Sequence, residues 1–473
     1  MASTFSGINT ALTSLYAQRR GLDITGQNIA NANTEGYTRQ RVSLQSQTGS
    51  LNPGIYSTTT QVGNGVTVAS VDRGRNVYLE ERGRNEHAGS AYLARQTAAY
   101  SQIESVLAEP SDTALQARLH DMWDGWNDVA NNWQDASTRS SLLEKSRTVA
   151  ITLNDAHASL NSQFTAASTQ MSGFVDQVNT LAESIADMNN QVVVAQSSGL
   201  EANELQDRRD VAIMKLAELA GVTTQAKANG SINVYLGSSP LVSDFSTRTL
   251  EASGPETLDS WAAGTNTAQL TWKGTTTPAA VGGTMGAMLD TMNSIIPGIK
   301  KQLDDVAETL ATRVNTLHAG AYDKNGGTGA DFFEGWSATD GWTARDIKVA
   351  ITDPDEVAFS QGDPNGTPPA LDNDVADMLA ALGTDPNGPD QTYQKMIGQL
   401  GVSAQSAARR SEIQDAVRDQ IDTSRQAESG VNLDEEMTNL LTFQRGYEAA
   451  SRVLTTIDSM LDQLINRTGL VGR

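Results

Sequence analysis

Apolar residues recur at alternating steps of four and three from Leu160 through Phe164, Ala167, Met171, Phe174, Val178, Leu181, Ile185 and Met188 to Val192. An unbroken run of that kind predicts a coiled-coil seam of roughly 33 residues, about 50 Å long as a helix. Two earlier helices flank a break at Pro110-Ser111. The first runs through Tyr92, Tyr100, Ile103 and Leu107, and the second through Leu115, Leu119, Trp126, Val129 and Trp133. A shorter helix from about Glu201 should stop at Gly221, because glycine takes the left-handed backbone that closes a helix at no steric cost.

The period then changes. Between Val222 and Ala280 the chain is rich in Thr, Ser and Gly, with two-residue alternation at Ile232, Val234 and Leu236 and again at Leu270 and Trp272. This predicts a small β-rich insert between helical segments. Helix returns near Met285 and, with a kink at Pro297, continues through Leu303, Val306, Leu310, Val314 and Leu317. A loop-rich stretch follows from Gly320 to Asn373, punctuated by Asn-Gly and Pro-Pro pairs, in which only Ile347, Val349 and Ile351 alternate. Helices resume to the end.

Each end carries one stripe. Ile8, Leu12, Leu15, Leu22 and Ile29 are heptad-spaced near the N-terminus, interrupted by Arg19 and Gly26. Leu433, Leu440, Phe443, Tyr447, Ala450, Leu454, Ile457, Leu461 and Leu464 make a stronger C-terminal row. Two single-stripe helices at opposite ends are natural partners for each other; the alternative is that each packs on its neighbouring domain. The first stripe holds few large apolar side chains for the backbone it must order. These ends are therefore expected to be loose in a lone molecule and ordered among several copies. The fold class is mainly α with a small β-rich insert: paired terminal coiled-coil helices plus an elongated helical body.

Composition narrows the function. Among 473 residues, 56 acidic against 34 basic give a net charge of −22, which argues against nucleic acid or anionic lipid as partners. The absence of cysteine excludes disulfides, thiolate metal sites and cysteine nucleophiles. No stretch of about 18 apolar residues suggests a membrane span, and Met1 to Leu12 lacks the basic-then-apolar pattern of a signal peptide. Residues 1–95 hold nine arginines, no lysine and six acids, so a balance of +3 faces −25 in the remainder. That asymmetry favours packing of head against body, within or between copies. The dense group Arg73, Arg75, Arg82 and Arg84 is either an intersubunit salt-bridge surface or a solvated loop face interleaved with Glu80, Glu81 and Glu86.

Candidate chemistry is sparse. The four histidines, His87, His120, His157 and His318, form no close metal-ligand pair. His120-Asp121 beside Trp123 reads as helix surface, and no nucleophile elbow or phosphate loop occurs. Gly63-Asn64-Gly65-Val66 fits a hairpin better than a dinucleotide loop. Asp323 to Glu334 places Asp323, Asn325, Asp331 and Glu334 at positions 1, 3, 9 and 12 of a calcium loop. Gly327 and Thr328 occupy positions 5 and 6 wrongly, which favours a structural loop. No catalytic residue, metal or cofactor is expected.

Residues 11–41, ALTSLYAQRRGLDITGQNIANANTEGYTRQR, resemble the N-terminal signature of bacterial flagellar rod, hook and hook-associated proteins, most specifically in Asn28 to Thr34 followed by Gly36-Tyr37. Residues 429–467, beginning Ser429-Gly430-Val431-Asn432-Leu433-Asp434-Glu435-Glu436, resemble the same superfamily and within it the branch that joins hook to filament. Val62 to Val66, Leu205 to Asp210 and His318 to Phe333 fit that branch too. One departure is that larger members carry extensive outer domains after the Phe332-Phe333 region, where Ile347 to Ile351 follows here almost directly.

The resemblance implies a structural protein of the bacterial flagellum at the hook–filament junction, required for filament assembly, exported unfolded by the flagellar type III apparatus and lying outside the cell. Its implied partners are further copies in a tube, the hook protein, a second junction protein and an export chaperone. It implies an assembly core of Leu12, Leu15, Leu22 and Ile29 facing Leu433, Leu440, Tyr447, Leu454 and Leu461. It also implies a domain switch at Asn28, Asn31, Asn33, Gly36 and Tyr37. Residues 1–33 with 432–473 would be the inner-core helices, 34–221 with 284–330 and 374–431 the helical body, and 222–283 with 331–373 the outer region. A hook or rod subunit is the alternative within the class, since the N-terminal signature is shared. Outside it stands a secreted enzyme or adhesin on a helical stalk, with its site in residues 222–373.

Overall fold

The computed structural model describes residues 4–47, 63–264 and 267–467. The outermost residues of the two expected inner-core segments, 1–3 and 468–473, lie outside these. The architecture is mainly helical with small antiparallel sheets. Helix α1 (Thr4–Ala30) leads into a hairpin of β1 (Gln40–Ser46) and β2 (Val66–Arg73). Asn64 and Gly65 pair with Gln47 at the base of that hairpin, and residues 48–62 of its loop lie outside the described residues.

The body is a bundle of α2 (Val77–Leu107), α3 (Leu115–Asn131), α4 (Ala136–Ser197) and α5 (Asn203–Ala220). The Asn76 side chain accepts the Tyr78 and Leu79 N–H groups, so α2 starts at Val77. Arg82 and Arg84 therefore lie on a helix, not on a loop face. Gly221 closes α5 at φ 68°. Along α4, Leu160, Phe164, Ala167, Met171, Val178, Ile185 and Val192 are buried, while Phe174, Leu181 and Met188 pack half-buried at the edge of the seam. His120 is exposed on α3.

The insert comprises β3 (Val222–Ala226), β4 (Ile232–Leu236), β5 (Ser239–Ser243) and β6 (Ser246–Thr247) in one meander, then β7 (Leu250–Ser253), a short α6 (Leu258–Ala263) and β8 (Gln269–Trp272), with β7 paired to β8. Next come α7 (Gly283–Asp290) and α8 (Ile296–Ala319). The predicted kink is a π-helical turn at Thr291–Ile295. Pro297 has no N–H, and its ring crowds the carbonyl four residues back, so the preceding turn widens. The loop-rich stretch holds β9 (Phe333–Glu334) against β10 (Lys348–Val349) and a 3₁₀ turn at Pro354–Glu356. It is followed by α9 (Asp374–Ala381), α10 (Pro389–Ser429) and α11 (Leu433–Asp462), which ends in a π-turn at Gln463–Arg467.

One device recurs. Among the described residues, five asparagines on helices pair with both the N–H and the C=O of one residue in an extended segment: Asn28 with Gln40, Asn179 with Leu250, Asn189 with Ile232, Asn293 with Ala268 and Asn315 with Phe333, all at 2.7–3.0 Å. A primary amide presents the same donor–acceptor pair as a peptide, so each stands in for a neighbouring strand. α4 serves as the mast for this docking: Asn179 and Asn189 hold the insert, and Asn154 donates to Ala344 and Ile347 in the loop region.

The loop from Asp323 to Glu334 is held by its own polar groups. Asp323 Oδ1 accepts the Asn325 and Gly327 N–H groups at 2.7 and 2.9 Å. Phe332 packs against Trp126 and His318. His318 Nδ1 donates to the Ala330 carbonyl at 2.6 Å, and its Nε2 accepts the Ala358 N–H at 2.9 Å. That pattern requires neutral imidazole, and burial lowers its proton affinity further.

Candidate functional site

Helices α1 and α11 lie antiparallel, with Gly7 beside Ile457, Gln18 beside Gly446, Gly21 beside Phe443 and Asn28 beside Glu436. Small residues permit this approach: a Cβ at Gly21 would come within 2.6 Å of the Phe443 ring. The buried row of α1 is accordingly Ala11, Ala17, Gly21, Ile24, Thr25 and Asn28.

The leucine stripes are less completely covered than this row. Leu12 is 37% exposed, and Leu15, Leu22 and Ile29 are half-buried at the margin of the contact. On α11, Leu440, Leu454 and Leu461 are half-buried, Tyr447 is exposed, and Leu433 is 54% exposed. The reason is geometric. Phe443 and Ile457 fit against glycines, and a row of leucines on α1 would hold the axes too far apart.

Among the residues expected to form a switch, Asn28 is the most buried, at 1% exposed. Besides clasping Gln40, its amide donates to Glu436 Oε2 at 3.0 Å, and its oxygen accepts the Tyr37 hydroxyl at 2.8 Å. Glu436, also buried, takes Arg39 Nε at 2.8 Å and Nη2 at 2.7 Å. Arg39 reaches the exposed Glu435 as well. The Arg39 N–H donates to the Ser429 carbonyl at the end of α10 at 2.9 Å, and its carbonyl accepts from Gly74 at 2.7 Å. Four chain segments thus meet at one buried ion pair.

The other positions of that expected set are less central. Gly36 holds φ 75°, and a Cβ there would sit 2.1 Å from Val211, so glycine is required on both counts. Asn31 donates to the Gln27 carbonyl and accepts from Thr34, closing the end of α1, and Asn33 is exposed. Burial and the carboxylates of Asp207, Glu204 and Glu436 push the Tyr37 phenol up to about 12. Asn432 caps α11 by accepting the Asp434 and Glu435 N–H groups.

The arginine group turns inward. Arg73 pairs with Asp207 and Asp210 at 2.8 and 2.9 Å, Arg75 with Asp210, and Arg84 is buried against Thr224. Glu80 takes Arg425 of α10 at 3.0 Å. These are contacts of head with body inside one chain, and they replace the expected intersubunit or solvated face for Arg73, Arg75 and Arg84. Thr38 N–H donates to Asp207, which joins this network to the segment next to Arg39. Sequence reasoning singled out neither Arg39 nor Glu436: each stands among other charges, and only burial distinguishes it.

The family model for the flagellar hook-associated protein FlgK helical domain matches residues 100–333. Models for the flagella basal body rod protein and the flagellar basal body rod FlgEFG protein C-terminal match only the ends, residues 8–38 and 424–467. Flagellar hook-associated protein 1 of Bacillus subtilis is 31% identical, with all of both chains covered. The chain belongs to the flagellar hook-associated protein 1 family. Its counterpart in Escherichia coli is 25% identical, covering 97% of this chain and 99% of its own. The flagellar hook junction protein FlgK from Burkholderia pseudomallei shares the fold, at TM-score 0.61 and 16% identity over 73% of this chain and 99% of that one.

Membership in the hook-associated protein 1 family makes the chain a structural component of the bacterial flagellum. It also decides against a hook or rod subunit, because the rod models account for the terminal segments alone. Among the described residues, no helix is long and apolar enough to cross a membrane.

Proposed function

We propose that this chain is the subunit of a tubular hook–filament junction on which filament growth depends, and that it acts by packing, without catalysis. The observation that carries this reading is the outer face of the terminal pair. Of the 30 residues of α11, Glu436 and Ala450 alone are buried. Leu433, Met437, Leu441, Val453 and Met460 remain exposed, as do Leu12 and Tyr16 of α1. A helix pair whose covered seam is flanked by exposed apolar side chains has surfaces suited to sister copies.

In this reading residues 1–33 and 432–473 line the inside of the tube, with Leu12, Leu15, Leu22, Ile29, Leu433, Leu440, Tyr447, Leu454 and Leu461 shared between the intramolecular seam and the contacts between copies. The helical body forms the next layer, and residues 222–283 with 331–373 lie outermost. Asn28, Asn31, Asn33, Gly36 and Tyr37 set the angle between layers. Hook protein meets one end of the ring and a second junction protein the other. An export chaperone covers the C-terminal row before type III export of the unfolded chain.

Deletion of the gene tests the reading. Electron microscopy should show complete hooks without filaments, with filament subunits released into the medium. Normal filaments on the deletion strain would overturn the assignment.

A further inference from the structure

The two halves of α10 are held by different forces. Up to Leu400 the helix buries Tyr393, Met396 and Leu400, but beyond it only Ala407 and Ile421 are buried, while Val402 and Ile413 stay exposed. What joins this second half to α2 is polar: Gln414 to Glu86 at 2.6 Å, Asp415 to Ser90 at 2.6 Å and Arg425 to Glu80 at 3.0 Å, with Gly83 and Gly89 letting Arg425 and Gln414 approach. At the centre sits His87 of α2. Its Nδ1 lies 2.8 Å from Glu218 of α5, and its Nε2 lies 2.9 Å from Asp422 of α10.

Both ring nitrogens therefore face carboxylates. Only imidazolium donates from both; neutral imidazole must aim one lone pair at a carboxylate. Around it, Lys215 and Glu218 of α5 and Asp422 and Arg425 of α10 line the same cleft of about 920 Å³, as do Glu80 of α2 and Asp210 of α5. From α7, Thr284 reaches the Glu218 carbonyl. We propose that residues 403–429 form an arm clamped to the body by protonated His87, which proton loss releases together with the Ser429–Arg39 connection to the terminal pair.

The sign follows from the pairing. The hydrogen bond to Glu218, then the charge and hydrogen bond of Asp422, raise the His87 pKa against the opposing effect of burial. The clamp is thus fully present below the ordinary histidine value near 6.5 and is lost as pH rises through the higher folded value.

Hydrogen exchange of the full-length subunit, corrected for intrinsic rates and read as protection of 403–429 relative to α4, tests this from about pH 5 to about pH 9. Wild type should lose protection in the arm roughly tenfold, as expected for a charge-assisted bond. His87→Gln should show the low value throughout, and His87→Arg the high value throughout. A flat wild-type profile, or an unchanged step in His87→Gln, would overturn the proposal.

Discussion

Replacing Glu436 by alanine should release the terminal helices from the body, lowering the local stability of that junction by about 3 kcal/mol. The carboxylate is 2% exposed and faces an arginine that is 7% exposed, so truncation leaves a buried guanidinium with only the solvent-facing Glu435. Losses of about 3–5 kcal/mol follow when one partner of a buried pair is removed, and the surviving Glu435 contact sets the low end here. Asn28 also loses one of its two acceptors. The same experiment separates two roles for the acids at the start of α11. If Asp434, Glu435 and Glu436 acted chiefly on the helix dipole, each alanine variant would lose a similar amount, about 0.3–1 kcal/mol. The buried Arg39–Glu436 pair predicts instead that Glu436 alone has a large effect. Exchange protection of α1 and α11 in the three variants reads the difference directly.

Introducing Met437→Asp with Val453→Asp should abolish filament growth while leaving the isolated subunit intact. These side chains are 53% and 49% exposed, so the folded monomer has little to lose; exposed substitutions usually stay within about 0.5 kcal/mol. Between copies the outcome differs, because each assembled contact would bury a carboxylate against apolar surface, at a cost of several kcal/mol per ion. Complementation of the deletion strain, scored for filaments, together with the melting curve of the purified variant, measures both sides. Equal loss of monomer stability and assembly would instead place these residues in the fold's own core.

Much of the fold was legible because long helices write their period over many residues. The α4 seam and the Gly221 stop follow from spacing and from one glycine. The insert was readable because Thr-rich alternation replaced that period between Val222 and Ala280. Less legible was how the ends pack. Large apolar residues draw attention to Leu12 and Leu433, whereas close helix contact is set by what is missing, at Gly7, Gly21 and Gly446. The asparagine clasps were invisible for a related reason: Asn179 and Asn189 read as poor helix formers, and their partners Leu250 and Ile232 lie 71 and 43 residues away. Charge asymmetry predicted that the arginine-rich head would meet acidic body, but it could not say that Arg73 meets Asp207 and Asp210 within the same chain.

Cysteine cross-linking offers the most direct test, since the natural sequence contains no cysteine to interfere. Val453→Cys or Met437→Cys, treated with a short bismaleimide, should yield adducts of two chains from assembled junctions and single chains from the free subunit. Assembled junctions in which both positions react freely with soluble maleimide and form no adduct would show that the exposed apolar side chains of α11 face solvent, and would contradict the account.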